Sequence, residues 1–289
     1  VRDQATFNNL STSEIESVSV LKDAASAAIY GARSDAGVIL VTTKKGKEGR
    51  PSINYTANFS ADFATQEVEL LDLYENGKLV NKMYENYGLT APQGTAWSEE
   101  ELEWAKNLPG RGFKMLDDVW NTPYVINHAL SVTGGSQKIK YFAAANYYTN
   151  NGFMASTDYN RLNLRLNLTA DITDNLQLFA SLGYTKSFSA SSPTEGTDAT
   201  YLKARVSFET FPSQSPGGKY IGTGWAYGNP AAAANGYSGY RHGDMMNPEA
   251  NISLTYKLPW IKGLSFKTSY MGSWKNNHSK SYTMAGEYY

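Results

Sequence analysis

The sequence predicts a mainly β protein, namely the N-terminal part of a transmembrane antiparallel β-barrel that is preceded by a short α+β unit. Three observations lead to this fold class. Apolar and polar residues alternate in seven segments, which is the pattern of strands with one apolar face. Most of these segments hold the alternation for about ten residues, the length that a tilted strand needs to cross a bilayer. The connections between the segments are alternately short and long, as periplasmic turns and external loops are in outer-membrane barrels.

The composition excludes several classes of protein. The 26 basic and 27 acidic residues nearly balance, so the chain carries no electrostatic footprint for nucleic acid. Cysteine is absent, which rules out a disulfide framework and a thiolate metal site. The three histidines lie far apart in the sequence, and we expect no metal site, no cofactor and no catalytic residues. No apolar run approaches the roughly 20 residues of a transmembrane helix.

The first 47 residues contain one compact unit with the pattern strand, short helix, strand. Ile15 to Leu21 is rich in β-branched residues and predicts the first strand. Asp23 can cap a short helix over Ala24 to Tyr30, which ends at Gly31. Val38 to Val41 is apolar at every position, so we expect a second strand that is buried on both faces. About a dozen residues separate the two strands, enough for a parallel crossover.

Three segments of this unit read IESVSVLKDA, AIYGAR and GVILVTTK, at residues 15–24, 28–33 and 37–44. Together they resemble the end of the plug domain in TonB-dependent outer-membrane transporters, and most closely the SusC/RagA family. DDVWN at residues 117–121, followed by HALSVTGG at residues 128–135, is similar to the region of the second barrel strand in the same family. The resemblance implies that residues 1–47 are the C-terminal part of a plug domain and that residues 48–51 are a linker.

Residues 52–289 are then expected to hold about the first seven strands of the barrel, with long external loops at residues 64–123 and 189–247. Seven strands leave unpaired edges and cannot enclose a plug. A barrel wide enough to be plugged has about 22 strands, so we expect this chain to be roughly the first third of one. The expected strands are Ile53–Phe63, Tyr124–Thr133, Ile139–Tyr147, Arg161–Ile172, Leu176–Tyr184, Ala250–Tyr256 and Leu264–Trp274.

A soluble β-sandwich would also alternate, because one face of each of its sheets meets the core and the other meets water. Strand length and the asymmetry of the connections favour the barrel, since sandwich strands are commonly ~5 to 6 residues long. In a barrel the row Leu162 to Leu168 faces lipid, whereas Arg161, Asn163, Arg165 and Asn167 face a polar lumen.

The two long loops differ in character. In the first, Asp72 to Tyr87 predicts a helix with one apolar stripe, and the capping box at Ser98 to Glu101 opens a second helix. We expect both helices to pack the loop against its neighbours. The second loop is rich in aromatic residues, whose faces suit stacking on sugar rings, or which simply pack an ordered loop. Its candidates for substrate contact are Trp225, Tyr227, Tyr237, Tyr240, Arg241 and His242.

Opening a plugged barrel requires that polar contacts between the plug and the wall are broken one after another. Arg33, Asp35, Arg161 and Arg165 are the candidates for these contacts. Replacing Arg33 with alanine in the complete protein is expected to alter uptake while leaving assembly of the barrel intact.

The resemblance implies a transporter and not an enzyme. The implied function is TonB-dependent active import of a nutrient, an oligosaccharide or a peptide, across the bacterial outer membrane. The implied partners are a SusD-like surface lipoprotein, the outer-membrane lipid and the TonB energy-coupling complex, which acts through a segment that this chain lacks. Two alternatives stay open: a soluble or secreted β-rich glycan-binding module, and a TonB-dependent receptor of the siderophore or cobalamin type.

Overall fold

The computed structural model describes residues 7, 10–22, 37–63, 65, 70–92, 94–109, 112–193, 196–207, 212–222 and 228–284. These residues form ten β-strands, four α-helices and a short 3₁₀ helix, Thr12–Glu14. The strands are β1 Ile15–Leu21, β2 Val38–Thr43, β3 Gly49–Ala61, β4 Tyr124–Gly135, β5 Ile139–Asn151, β6 Asp158–Thr173, β7 Leu176–Ser191, β8 Gly239–Lys257, β9 Ser265–Ser273 and β10 Asn276–Thr283. The helices are α1 Leu73–Tyr87, α2 Glu99–Lys106, α3 Thr197–Val206 and α4 Pro230–Ala234.

Strands β3 to β10 form one antiparallel sheet, which we call the wall sheet. Consecutive strands are neighbours from β3 to β8, and both β9 and β10 pair with β8. The pairing register along β8 continues unchanged from β9 to β10, so these two strands are one long strand with a short interruption. The interruption lies opposite Pro248, which accepts a hydrogen bond from Trp274 N (3.1 Å) but has no N–H to donate in return.

The seven expected strands are all present in the wall sheet, when β9 and β10 are taken as one. Because the strands form a single sheet and not two packed sheets, the sandwich alternative is wrong for the residues described. Two boundaries differ from the expectation. Strand β3 begins at Gly49, within the range expected to be a linker, and β8 begins at Gly239, so the second long loop covers only residues 192–238.

The first half of β8 was not predicted from the sequence, and this has a physical reason. Its first half, GYRHGDMMNPE, has no alternation of apolar and polar residues that would mark a strand with one apolar face. The pairing with β7 and β10 nevertheless holds this segment in the sheet. Tyr240, Arg241 and His242, which the sequence placed in a loop, therefore lie on a strand.

The two faces of the wall sheet are chemically distinct. On β6 the side chains of Asn163 and Asn167 are buried and that of Arg165 is 9% exposed; all three lie on the face that contacts the N-terminal residues, which we call the inner face. Leu164 and Leu166 are exposed on the opposite, outer face. This sorting agrees with the expected assignment of the two rows.

The short turns of the wall sheet are stabilised by hydroxyl groups. Ser136 Oγ between β4 and β5, and Thr173 Oγ1 between β6 and β7, each accept hydrogen bonds from the backbone N–H groups two and three residues later. These side chains satisfy backbone donors that the tight turn leaves without a ladder partner. Both turns lie at the same end of the sheet as the N-terminal residues that lead into β3.

The N-terminal pair of strands differs from the expectation in two respects. Strands β1 and β2 pair antiparallel, from Ile15 opposite Thr43 to Leu21 opposite Val38, and not in parallel. The connecting residues 22–37 are long enough for either direction, so length alone does not decide it. Strand β2 is also not buried on both faces, because Ile39 is 55% exposed in this chain. The expected helix Ala24–Tyr30 lies outside the described residues.

The helices of the first long loop begin and end as the sequence predicts. Asp72 Oδ1 accepts a hydrogen bond from Glu75 N, and Gly88 ends α1 in the left-handed conformation. Ser98 and Glu101 form a complete capping box at the start of α2. The hydrogen bond that the Ser98 backbone N–H donates to the Glu101 carboxylate lowers the pKa of Glu101 from its ordinary value.

The buried side of α1 is narrower than the expected apolar stripe. Only Leu73 and Gly77 are buried on this helix, and Gly77 lies against Trp97 and Leu102 of the following segment. Tyr87, the last residue of α1, is exposed. None of the helices among the described residues is long and apolar enough to cross a membrane.

A small core holds the loops together at the end of the sheet opposite the short turns. It combines residues of the first long loop, the β5–β6 connection and the second long loop. Its buried members are Met115, Val119, Met154, Ala204, Tyr220, Ala231, Ala232 and Ala234.

At the exit of the N-terminal residues toward β3, the backbone of Gly46 lies directly against β5. A Cβ atom on Gly46 would overlap Tyr141 N and would lie 2.5 Å from the carbonyl carbon of Lys140. Since the obstacle is backbone and not a flexible side chain, only glycine fits at this position.

We expect Gly46→Ala to destabilise the complete protein by about 1–3 kcal/mol, because the methyl group forces the N-terminal residues away from β5. The measurement is the midpoint of unfolding in urea. Unfolding is followed by gel migration, which differs between the folded barrel and the denatured protein. Gly217→Ala is the matched control, since the nearest atom to its Cβ is 3.9 Å away. Equal midpoints for the two variants would contradict the close approach.

Candidate functional site

The candidate site is the contact between the N-terminal residues and the inner face of the wall sheet. We call it the junction, and it consists of residues 11–14 and 43–46 together with the inner faces of β5 to β8. It lies where a short 3₁₀ helix and the end of β2 meet the wall.

The central contact of the junction is an ion pair. Arg165 Nε on β6 donates to Glu14 Oε2 at 2.7 Å, and the side chains are only 9% and 1% exposed. Buried charges of this kind are stable only when they are paired, since a lone charge has lost its hydration without compensation. The pair therefore fixes the 3₁₀ helix to the wall.

Glu14 is also tied to the end of β2. Its backbone oxygen accepts a hydrogen bond from Lys44 N at 2.8 Å, and Lys44 Nζ donates to Ser13 O at 2.8 Å. The 3₁₀ helix and the residues that follow β2 are thus one body, so a displacement of one displaces the other.

The next inner-face residue of β6 holds this second segment. Asn167 Nδ2 donates to Lys44 O at 2.5 Å and to Thr43 Oγ1 at 3.4 Å, and its side chain is fully buried. Lys45 Nζ lies 5.4 Å from the centroid of the Phe179 ring on β7, in a cation–π contact. Successive inner-face residues of β6 therefore bind the two segments of the junction.

Arg165 lies between two carboxylates. Its Nη2 is 3.9 Å from Glu249 Oε2 on β8, and Glu249 Oε1 accepts a hydrogen bond from Asn247 Nδ2 at 3.1 Å. Gly183 of β7 lies between Arg165 and Glu249 in the same row of the sheet. A Cβ atom there would be 3.1 Å from Arg165 Nη1, so the absent side chain makes room for the guanidinium.

Amide side chains continue the polar inner face away from the junction. Asn146 Nδ2 donates to Asn127 Oδ1 at 2.7 Å, and Asn163 Nδ2 donates to Thr185 Oγ1 at 3.2 Å. Within the described residues no group of three or more metal-ligating side chains occurs. The chemistry available at this face is hydrogen bonding and ion pairing.

The structure brings together only some of the residues expected at the contact of plug and wall. Arg165 is in the junction, whereas the guanidinium of Arg161 stacks on the Tyr148 ring, 5.3 Å from its centroid. Arg33 and Asp35 lie outside the described residues.

The expected substrate-contact residues do not form one site. Tyr237 packs against Tyr220 beside the loop core, with ring centroids 5.1 Å apart. Tyr240 and His242 stack on each other at 4.4 Å, and the alternation of β8 places both on the outer face. Arg241 lies on the inner side of β8 and donates to Pro193 O at 3.1 Å. Trp225 and Tyr227 lie outside the described residues.

The sequence reading missed Glu14, Asn167, Gly183 and Glu249 as site residues. Asn167, Gly183 and Glu249 each occupy an inner-face position of their strand, and a polar or charged residue or a glycine at such a position is a usable signal. Glu14 had no comparable signal, because its importance depends on contact with a residue 151 positions away.

Comparisons with known proteins give a consistent result, although no known family model matches the chain. TonB-dependent receptor P3 of Formosa agariphila is 29% identical over 271 residues, which are 91% of this chain and 25% of that receptor. TonB-dependent receptor SusC of Bacteroides thetaiotaomicron is 31% identical over 156 residues, 54% of this chain and 14% of SusC. The chain thus spans about a quarter or less of the length of these relatives.

Solved structures show the same fold. The RagAB peptide importer in its open-open state matches 98% of this chain and 34% of its own chain, with a TM-score of 0.76 and 19% sequence identity. The closed-closed state of the same importer matches with a TM-score of 0.75 and 20% identity.

Together with the wall sheet and its polar inner face, these similarities support a fragment of a TonB-dependent receptor of the SusC/RagA type. Among these receptors the chain is similar to SusC in sequence, and its fold is similar to that of the matching part of the RagAB importer.

We expect Gly183→Val to displace the Arg165 guanidinium and weaken its contact with Glu14. The destabilisation of the junction should be about 1–3 kcal/mol, the usual cost of forcing a larger side chain into a packed site. It is measured as increased protease cleavage of residues 10–22 in the complete receptor. The neighbouring outer-face substitution Leu182→Val is the control, and a cleavage rate equal to the control would show that the row tolerates a side chain.

Proposed function

We propose that this chain forms the gate-side contact of a transporter that imports a nutrient, an oligosaccharide or a peptide, across the bacterial outer membrane with energy from the TonB complex. The observation that carries the proposal is the buried pair Glu14–Arg165, which joins the end of the plug to the wall by polar contacts. Polar contacts suit a gate because water that enters the opening lumen can replace them one by one, whereas a fully apolar contact would expose its whole surface.

The sequence of events follows from the connected contacts. Force on the plug first loads the 3₁₀ helix, because Glu14 is bound both to Arg165 and to Lys44. Once the ion pair opens, the hydrogen bonds of Asn167 to residues 43 and 44 carry the load next. Serial breaking lowers the peak force, since each step disrupts only one or two bonds. Arg33, Asp35 and Arg161 remain proposed contributors to the same gate.

Two surfaces support the proposed setting. Exposed leucines on the outer face of β6 are suited to contact with the hydrocarbon of the outer membrane. Leu79, Met83 and Trp104 are exposed on helices α1 and α2 of the first long loop, and apolar side chains of this kind suit a partner such as a SusD-like lipoprotein. Among the substrate-contact candidates that are described, Arg241 is the one that we retain, because it lies on the inner side of β8.

The proposed import is tested by uptake in cells that carry the complete receptor and its lipoprotein. Labelled oligosaccharides and peptides of matched size are offered separately, with and without an uncoupler that collapses the proton gradient. We expect accumulation of one of the two classes, lost by at least about tenfold when the gradient collapses. Uptake that is indifferent to the gradient would refute TonB-dependent import.

The role of the junction is tested by locking it. In the variant Glu14→Cys, Arg165→Cys, a short reducible crosslinker should join the two thiols and abolish uptake, because residue 14 can no longer leave β6. A reductant should restore it. Each single cysteine variant treated with the same reagent is the control, and full uptake in the crosslinked receptor would show that this part of the plug stays on the wall during transport.

A further inference from the structure

We propose that Glu249 is the second counter-ion of Arg165, which takes over when Glu14 leaves the wall, and that Gly183 keeps the path between them open. This proposal rests on the proposed function, since it describes how the closed gate opens. Glu249 and Gly183 are therefore positioning residues that act through Arg165.

The present geometry favours one carboxylate over the other. Arg165 Nε is at hydrogen-bonding distance from Glu14 Oε2, 2.7 Å, whereas Nη2 is 3.9 Å from Glu249 Oε2. The second distance is too long for a hydrogen bond and short enough that a change in side-chain torsion closes it. The carboxylate of Glu249 is held in place by the hydrogen bond from Asn247. Its position beside the guanidinium is thus prepared in the closed state.

The arrangement of the strands makes the exchange local. Arg165 pairs with Gly183, and Gly183 pairs with Glu249, so the three residues form one row across β6, β7 and β8. A larger side chain in the middle of the row would separate the outer two. With glycine there, the guanidinium lies over β7, where a Cβ atom would be 3.1 Å from its Nη1.

The balance of charge explains why Arg165 needs a second carboxylate. Two carboxylates share one guanidinium, and all three side chains are nearly buried. If Glu14 leaves, Arg165 would remain in the wall without a partner, which is costly for a buried charge. With Glu249 in reach, the departure leaves a one-to-one pair. Glu14 Oε1 is buried without a hydrogen-bond partner among the described residues, and release of Glu14 into water removes the cost of that burial.

If Glu249 had only a static role, its removal would change the release of the 3₁₀ helix in the opposite direction. If Glu249 only braces Arg165 in the closed gate, its loss loosens the contact with Glu14 and the 3₁₀ helix leaves the wall more often. If Glu249 receives Arg165 in the open gate, its loss raises the free energy of the open state and the helix leaves less often. The sign of the effect therefore separates the two roles.

The test uses a single cysteine as a reporter of release. Ser11 is 4% exposed and adjoins the 3₁₀ helix, so Ser11→Cys should react with a maleimide only when that segment has left the wall. The chain itself has no cysteine, and the receptor without Ser11→Cys measures any background labelling. Labelling rates are measured on the purified complete receptor in mild urea.

On the Ser11→Cys background we expect Glu249→Gln to slow labelling about tenfold and Glu14→Gln to accelerate it. Glu249→Asp, which keeps the charge but shortens the side chain, should fall between Glu249→Gln and the parent. Ser253→Ala, further along the same inner face of β8, is the control and should match the parent.

Labelling that is unchanged or faster in Glu249→Gln would overturn the proposal. Failure of both Glu249 variants to assemble would also overturn it, because the closed state would then need this carboxylate. The assay records release without transport. A loss of the proposed import function would therefore appear in the uptake experiments and not in these rates.

Discussion

The structure depends on how a nearly buried positive charge, that of Arg165, is accommodated in a wall that is a single β-sheet. Arg165 lies on a strand whose other face carries exposed leucines, so its guanidinium can reach partners only on the inner side. The partner that it finds, Glu14, belongs to a separate part of the chain. The ion pair therefore fixes the N-terminal residues to β6, and the hydrogen bonds of Asn167 extend that attachment to the next inner-face position of the strand.

Two glycines make this attachment possible in different ways. Gly46 brings backbone against backbone where the N-terminal residues pass β5, and Gly183 leaves the space that the Arg165 side chain occupies over β7. In both places the feature that matters is an absent side chain, and in neither does the backbone adopt a left-handed conformation. Close approach, and not turn geometry, is the constraint at both positions.

The ends of the wall sheet serve different purposes. At one end, tight turns are closed by Ser136 and Thr173, and the N-terminal residues enter nearby. At the other end, the long connections bring α3, α4 and the segment around Met115 into a small apolar core, while α1 and α2 carry exposed apolar side chains. The division places the attachment of the N-terminal residues and the long loops with their exposed apolar side chains at opposite ends of the same strands.

The strands, their faces and the helix caps could be predicted from the sequence, because each depends on residues that are near neighbours. A period of two sorts Leu164 and Leu166 from Arg165 whatever the rest of the chain does, and the capping box at Ser98 is complete within four residues. The first half of β8 lacked such a local pattern and became a strand only through its neighbours β7 and β10. The antiparallel direction of β1 and β2 was likewise undetermined by the length of their connection.

The junction belongs wholly to the tertiary structure. Glu14 and Arg165 are 151 residues apart, and the row of Arg165, Gly183 and Glu249 is assembled from three strands by their register. The sequence determined that β6 has a polar face bearing Arg165. Which carboxylate binds that arginine was decided only when folding placed the N-terminal residues against the wall, because the energy of an ion pair depends on distance and burial in space and not on separation along the chain.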